Sequence, residues 1–179
     1  DIQIATSNIC FNLNQIAERF NVYLKGTYLE ELFSELIVNV YNRLGPVVVL
    51  VDEYDKPILD NINSVDKAVQ MRELLHSFYA ILKQNDEYLQ FVMLTGVSKF
   101  CKMGVFSAMN NLEDISMDAE YADLYGYTEQ EVEENFHDHI LYASEKNGMS
   151  YTEFMDKLKE YYDGFCFDGS STVYNPFSI

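Results

Sequence analysis

The chain has 179 residues, 48% of them hydrophobic and 15% aromatic, which is material for one sizeable core, and its 29 Asp and Glu against 12 Lys and Arg give a formal net charge of −17. That charge excludes a grip on nucleic acid by this segment itself, because non-specific affinity comes from Lys and Arg contacts to phosphates. The longest apolar run falls far short of the ~20 residues that cross a bilayer, and no charged stretch precedes an apolar one at the start, so nothing points to a membrane or to secretion and the expected location is cytoplasmic.

In chain order, residues 2–6 are expected to form a short strand, followed by a helix around Leu13 to Phe20. Residues 28–44 predict a firmer helix. Leu29, Leu32, Phe33, Leu36, Ile37, Val40, Tyr41 and Leu44 recur at helical spacing, and Gly45-Pro46 stops the helix. The run VVVLV at 47–51 then reads as a strand buried on both faces, ending abruptly in Asp52 and Glu53. Val65 to Lys83 follows with Ala68, Met71, Leu75, Phe78 and Leu82 at helical spacing. A second apolar run, within residues 88–100, breaks into polar residues at Thr95, Ser98 and Lys99. Strand, helix, strand implies a parallel pair, so both polar breaks fall on the same edge of the sheet, the edge where ligands bind in open α/β sheets.

After Lys99 the composition changes. Residues 102–127 read as loop, with Asn110-Asn111 and Gly126 as turn signals. Thr128 with Glu131, and Ser150 with Glu153, each match the S/T-x-x-E capping box, placing helix starts near Glu129 and Tyr151. Val132, Phe136 and Ile140 are spaced to pack on Phe154, Leu158 and Tyr161. The terminal GFCFDGSSTVY reads as a hairpin turned at Asp168-Gly169. Two domains are therefore expected, an α/β core over 1–120 and a helical subdomain with a terminal hairpin over 121–179. Cys10, Cys101 and Cys166 form no CxxC pair, and His76, His137 and His139 read as surface or boundary residues, not metal ligands.

A carboxylate pair at the end of a strand suits a Mg²⁺-nucleotide site, one acid holding the metal and the other orienting or activating water. The plainer alternative is that a buried strand has to stop, and acids are common in the loop that follows. The stretches VVVLVDEYDKP (47–57) and FVMLTGVSKF (91–100) resemble the AAA-ATPase-like proteins of bacteria, P-loop NTPases often joined to a PD-(D/E)XK nuclease-like domain. FSAMNNLEDIS (106–116), YADLYGYTEQEV (121–132) and YYDGFCFDGSSTVYNPFSI (161–179) are similar to the same family's pattern, in the same order.

That resemblance implies an α/β fold, a partial P-loop NTPase-like parallel sheet flanked by helices and followed by a helical subdomain, with ATP and Mg²⁺ as cofactors of the intact protein. It implies Asp52 as the Walker B metal ligand and Glu53 as the catalytic residue that polarises the hydrolytic water. Thr95 and Ser98 fall at sensor-like positions, and Lys99 and Lys102 are candidate phosphate neighbours. Asp55 and Lys56 match the family pattern too, where an ion pair or a turn accounts for them equally well. Arg19, Arg43 and Arg72, the three arginines, have no position that demands the role of an arginine finger.

One element of the family is lacking. A P-loop needs Gly-Lys-Ser/Thr after a glycine-rich stretch, and the nearest imitation, Lys25-Gly26-Thr27, has the wrong order. The chain is therefore expected to be a fragment whose partners are an N-terminal P-loop segment and a C-terminal domain of the same protein. In related P-loop ATPases the sensor strand lies between the acidic strand and the strand feeding the P-loop. Residues 89–95 are then expected to present a bare apolar edge, open to covering or to homo-oligomer formation. Two other readings stand beside the ATPase: a non-catalytic interaction or regulatory module, and a metal-dependent nuclease using Asp52, Glu53, Asp55 and Lys56.

Overall fold

In the computed structural model, residues 2–97, 104–107 and 109–177 are described. They form six α-helices and four strands: α1 (Ile2–Arg19), α2 (Leu29–Leu44), β1 (Val47–Val51), α3 (Lys56–Leu59), α4 (Val65–Gln84), β2 (Leu89–Leu94), α5 (Glu129–Lys146), α6 (Tyr151–Tyr162), β3 (Asp163–Phe165) and β4 (Val173–Tyr174). They fall into two units, Asp1–Leu112 and Glu113–Ile179.

The strand expected at 2–6 is the first turn of α1. The alternation Ile2, Ile4 is too short to define a period, whereas Ile2, Ala5, Ile9, Leu13 and Ala17 continue at helical spacing and pack toward the core. Ile4 points outward at 60% exposure. α2 follows its apolar stripe closely, burying Leu29, Leu32, Phe33, Leu36, Ile37 and Val40. Gly45 closes it at φ +98°, a value that favours glycine, with its N–H donating to Tyr41 O at 2.8 Å. α4 buries Met71, Leu75, Phe78, Tyr79, Ile81 and Leu82, and Phe78 stacks on Phe33 of α2 with ring centroids 4.4 Å apart. Buried Asn85 ends α4, donating to Ile81 O and accepting from Ser34 Oγ of α2.

β1 and β2 pair in parallel, with Val49 opposite Val92 and Val51 opposite Leu94. The burial expected on both faces holds for one only. Val47, Val49, Val51, Leu89, Val92 and Leu94 pack against the core built from α1, α2 and α4. Val48, Leu50 and Phe91 are 51%, 69% and 52% exposed, because no other described element of this unit lies over their face. Among the described residues β2 pairs with β1 alone.

In the second unit, both expected capping boxes form. Glu131 N–H donates to Thr128 Oγ1 at 3.2 Å and Thr128 N–H to Glu131 Oε2 at 2.9 Å, and Ser150 and Glu153 repeat the arrangement at 3.2 and 2.8 Å. Each arrangement satisfies two backbone donors that the first helical turn leaves without partners. The core is Val132, Ile140, Met155 and Tyr174, with Phe136, Phe154 and Leu158 against it. Tyr161, expected to pack there, is 73% exposed. Met155 and Tyr174 fill the interior instead. β3 and β4 pair antiparallel, and Tyr174 exchanges backbone hydrogen bonds with Tyr127. In the turn between them the Asp168 carboxylate accepts from Ser170 Oγ and from the N–H groups of Ser170 and Ser171, bonds that hold it well below the usual carboxylate range. Gly169 supplies the φ of +83° beside it.

Candidate functional site

The parallel pairing brings the carboxyl ends of β1 and β2 together, and hydrogen bonds lock them. Thr95 N–H donates to Val51 O at 2.8 Å, and Tyr54 N–H donates back to Thr95 O at 2.9 Å. Between these rungs Thr95 Oγ1 donates to Asp52 Oδ1 at 2.5 Å. The same Oδ1 accepts Glu53 N–H at 2.9 Å, so one carboxylate oxygen is fixed by two donors. Oδ2 takes part in neither bond. Asp52 and Glu53 are both exposed, as a site for a solvated ligand requires.

Glu53 has φ +50°, in the left-handed region that a branched or long side chain enters at a cost of about 1–3 kcal/mol. Asn21, at φ +51°, follows the end of α1, where that conformation is common for asparagine. At Glu53 the tight turn separates the acids into two groups, leaving Asp52 and Glu53 outside while sending Tyr54 and Asp55 inward. Asp55 is fully buried and Tyr54 is 7% exposed. The Tyr54 ring lies 4.8 Å from that of Phe106, which in turn faces Tyr79 at 5.5 Å. Burial, with the neighbouring Tyr54 and Asp55, pushes the Tyr79 hydroxyl well above its ordinary value.

Gly96 completes the interlock. A Cβ there would lie 2.7 Å from Asp55 Oδ1 and 2.7 Å from Tyr54 Cε1, closer than packed atoms tolerate. The glycine is needed for close approach, since its φ is ordinary. Lys56 turns away, its Nζ pairing with Asp60 Oδ1 at 2.8 Å on the one-turn helix α3, and that bond raises the ammonium's pKa. Asp55 and Lys56 are therefore not partners of each other in an ion pair. One is interior and the other sits on the surface.

Thr95 is brought to Asp52 and Glu53 as expected from the parallel pair. Ser98 and Lys99, with Lys102 and Cys101, lie outside the described residues. His76 Nδ1 is 3.2 Å from Val105 O, a structural contact, and the His137 ring packs near Tyr151 in the other unit. Among the described residues no three His, Cys, Asp or Glu side chains converge as a metal-binding group. Mg²⁺ needs less from protein: one or two carboxylates, with waters and phosphate oxygens completing the shell. Asp52, oriented by Thr95 and retaining Oδ2, fits that part.

Lys25-Gly26-Thr27 does not fit the phosphate part. Lys25 and Gly26 donate their N–H groups to Glu35 Oε2 at 2.6 and 3.0 Å, and Thr27 donates to Glu31 Oε2 at 3.1 Å. The backbone donors that a phosphate would require are engaged by internal carboxylates. Sequence reasoning missed the roles of Gly96, Glu35 and the turn at Glu53. A glycine directly after Thr95 was a signal for the first, and no local signal marks the other two.

The chain is similar to an "Uncharacterized protein in vnfD 5'region" of Azotobacter chroococcum mcd 1, 43% identical over 148 residues, which are 82% of this chain and 27% of that protein. The chain thus spans about a quarter of the length of that relative. No solved structure matches it. The model of a family described as "Predicted AAA-ATPase" matches residues 2–106, a span that includes β1, the acidic turn, β2 and Thr95. With that match over more than half of its length, the chain belongs to the predicted AAA-ATPase family.

Proposed function

We propose that this chain supplies the metal-holding and water-activating half of a Mg²⁺-dependent ATP hydrolysis site, on a P-loop NTPase-like sheet that other strands complete. The observation that carries it is the hydrogen bond from Thr95 Oγ1 to Asp52 Oδ1, which places a hydroxyl and two carboxylates on one strand edge. Asp52 would hold Mg²⁺ through its remaining oxygen. When bound, the ion neutralises charge on the nucleotide phosphates. Glu53, exposed at the turn, accepts a hydrogen bond from the attacking water and receives its proton. Thr95 keeps Asp52 oriented by donating to it. Ser98 and Lys99 are proposed as further phosphate contacts on the family resemblance.

The phosphate cradle must come from a Gly-Lys-Ser/Thr loop outside these 179 residues. Among the described residues β1 and β2 pair only with each other, which supports an incomplete sheet, and the exposed face of Val48, Leu50 and Phe91 supports a missing covering layer, since apolar side chains on a parallel sheet are ordinarily covered. A second reading, a non-catalytic interaction module, is favoured by the lack of such a loop in this sequence. Asp55 is buried away from Asp52 and Glu53, so the three acids do not share the face that the nuclease reading requires.

Calorimetry separates the first two readings. With this chain joined to a Gly-Lys-Ser/Thr loop in one polypeptide, ATP binding should be Mg²⁺-dependent and Asp52→Ala should weaken it about tenfold or more, a carboxylate-metal contact being worth more than 1.4 kcal/mol. Binding that ignores both Mg²⁺ and Asp52 would favour the module.

A further inference from the structure

In the unit Glu113–Ile179, where α6 meets the hairpin, a shallow cleft of about 270 Å³ is lined by Tyr161, Tyr162, Asp163, Gly164, Phe165 and Asn175. Its walls are held by backbone and carboxylate bonds. Asn175 N–H donates to Tyr162 O at 3.2 Å, joining the end of the hairpin to the end of α6. Asp163 accepts Gly164 N–H on Oδ1 at 2.6 Å and Thr172 Oγ1 on Oδ2 at 3.1 Å, so its carboxylate is fixed in place.

The aromatic side chains there are unusually open to water. Tyr161 is 73% exposed, Phe165 51%, and Phe177, whose N–H donates to Asn175 Oδ1, 98%. The rings of Tyr161 and Tyr162 lie 6.3 Å apart at 49°. Large aromatics left in solvent around a concavity mark a binding surface more than a core.

Charge selects the partner. Residues 113–179 hold sixteen Asp and Glu against three Lys, and no Arg. Of those lysines, Lys159 is paired with Glu129 at 2.7 Å and Lys146 lies over the Tyr142 ring. Anionic partners, nucleic acid and acidic membrane surfaces alike, are repelled. A guanidinium group satisfies every feature of the cleft: its face stacks on an aromatic ring, and its edge donates to a carboxylate.

We infer that this cleft binds an arginine-bearing basic segment of a partner protein, with the guanidinium against the Tyr161, Tyr162 and Phe165 rings and beside Asp163. This goes beyond the nucleotide reading and is independent of it.

Fluorescence anisotropy of the 179-residue chain with labelled nine-residue peptides, arginine-rich, lysine-rich or Gly/Ser, tests it. The arginine peptide should bind tightest and the Gly/Ser peptide not at all. Tyr161→Leu and Phe165→Leu keep apolar bulk and net charge but remove the ring face, and each should weaken the arginine peptide about tenfold. Asp163→Asn should weaken it more than Glu134→Gln, which makes the same charge change away from the cleft. Equal binding by wild type and both Leu variants would reduce the effect to net charge and overturn the inference. So would self-association of the chain that Tyr161→Leu abolishes, because a second copy would then be the occupant.

Discussion

Thr95 Oγ1 donates to Asp52 Oδ1 across a parallel strand pair, joining residues 43 positions apart in the chain. Since the same oxygen takes Glu53 N–H, the hydroxyl sets the orientation of the carboxylate and of the turn that follows. Thr95→Val keeps the shape and removes the donor. In a polypeptide that turns over ATP, it should lower kcat/KM about 10- to 100-fold, the range for losing a hydrogen bond to a charged group. Thr95→Ser should restore most of the rate. Equal rates for Thr95→Val and wild type in steady-state phosphate release would remove Thr95 from the site.

Gly96 carries a different burden. Adding a methyl group there forces Asp55 or the Tyr54 ring to move, and both are buried. Gly96→Ala should therefore destabilise the first unit by about 1–3 kcal/mol, the usual cost of overpacking, read as a lowered urea midpoint. An unchanged midpoint would show that the loop relaxes without strain.

Glu35 predicts a pH dependence. Hydrogen bonds from the Lys25 N–H, then the Gly26 N–H, hold its carboxyl below the ordinary value of 4.5. A carboxyl lowered on folding adds stability above its unfolded pKa, and the contribution disappears as pH falls through the folded value. Glu35→Gln should be less stable than wild type at pH 7 by about 0.5–1 kcal/mol, given its partial exposure to solvent. The gap should shrink as pH drops below 4.5, measured by urea unfolding across pH. A gap that widens in acid would reverse the assigned sign.

The parts of the fold set by periodicity were readable in advance. The stripe of α2, the crossover helix α4 and the two S/T-x-x-E helix starts depend on local spacing and caps, and all are present. The helix at 2–6 was hidden because five residues cannot distinguish a period of 2 from one of 3.6. The open face of β1 was hidden for another reason. VVVLV has the same pattern whether one or two layers cover it, and only the neighbouring elements decide. At the site, the meeting of Asp52 and Thr95 followed from parallel topology. The inward turn of Asp55 depends on the backbone at Glu53, and nothing in DEYD separates inward from outward acids.

The most direct test of the account is single-turnover and steady-state ATP hydrolysis by a polypeptide joining this chain to a Gly-Lys-Ser/Thr loop, wild type against Glu53→Gln. Glu53→Gln should keep Mg²⁺-dependent nucleotide binding within about threefold while losing hydrolysis by about 10²-fold or more, as expected when a water-activating base is removed and the metal ligand Asp52 remains. Hydrolysis by Glu53→Gln at the wild-type rate would contradict the assignment of Asp52 and Glu53 as the metal-holding and water-activating pair.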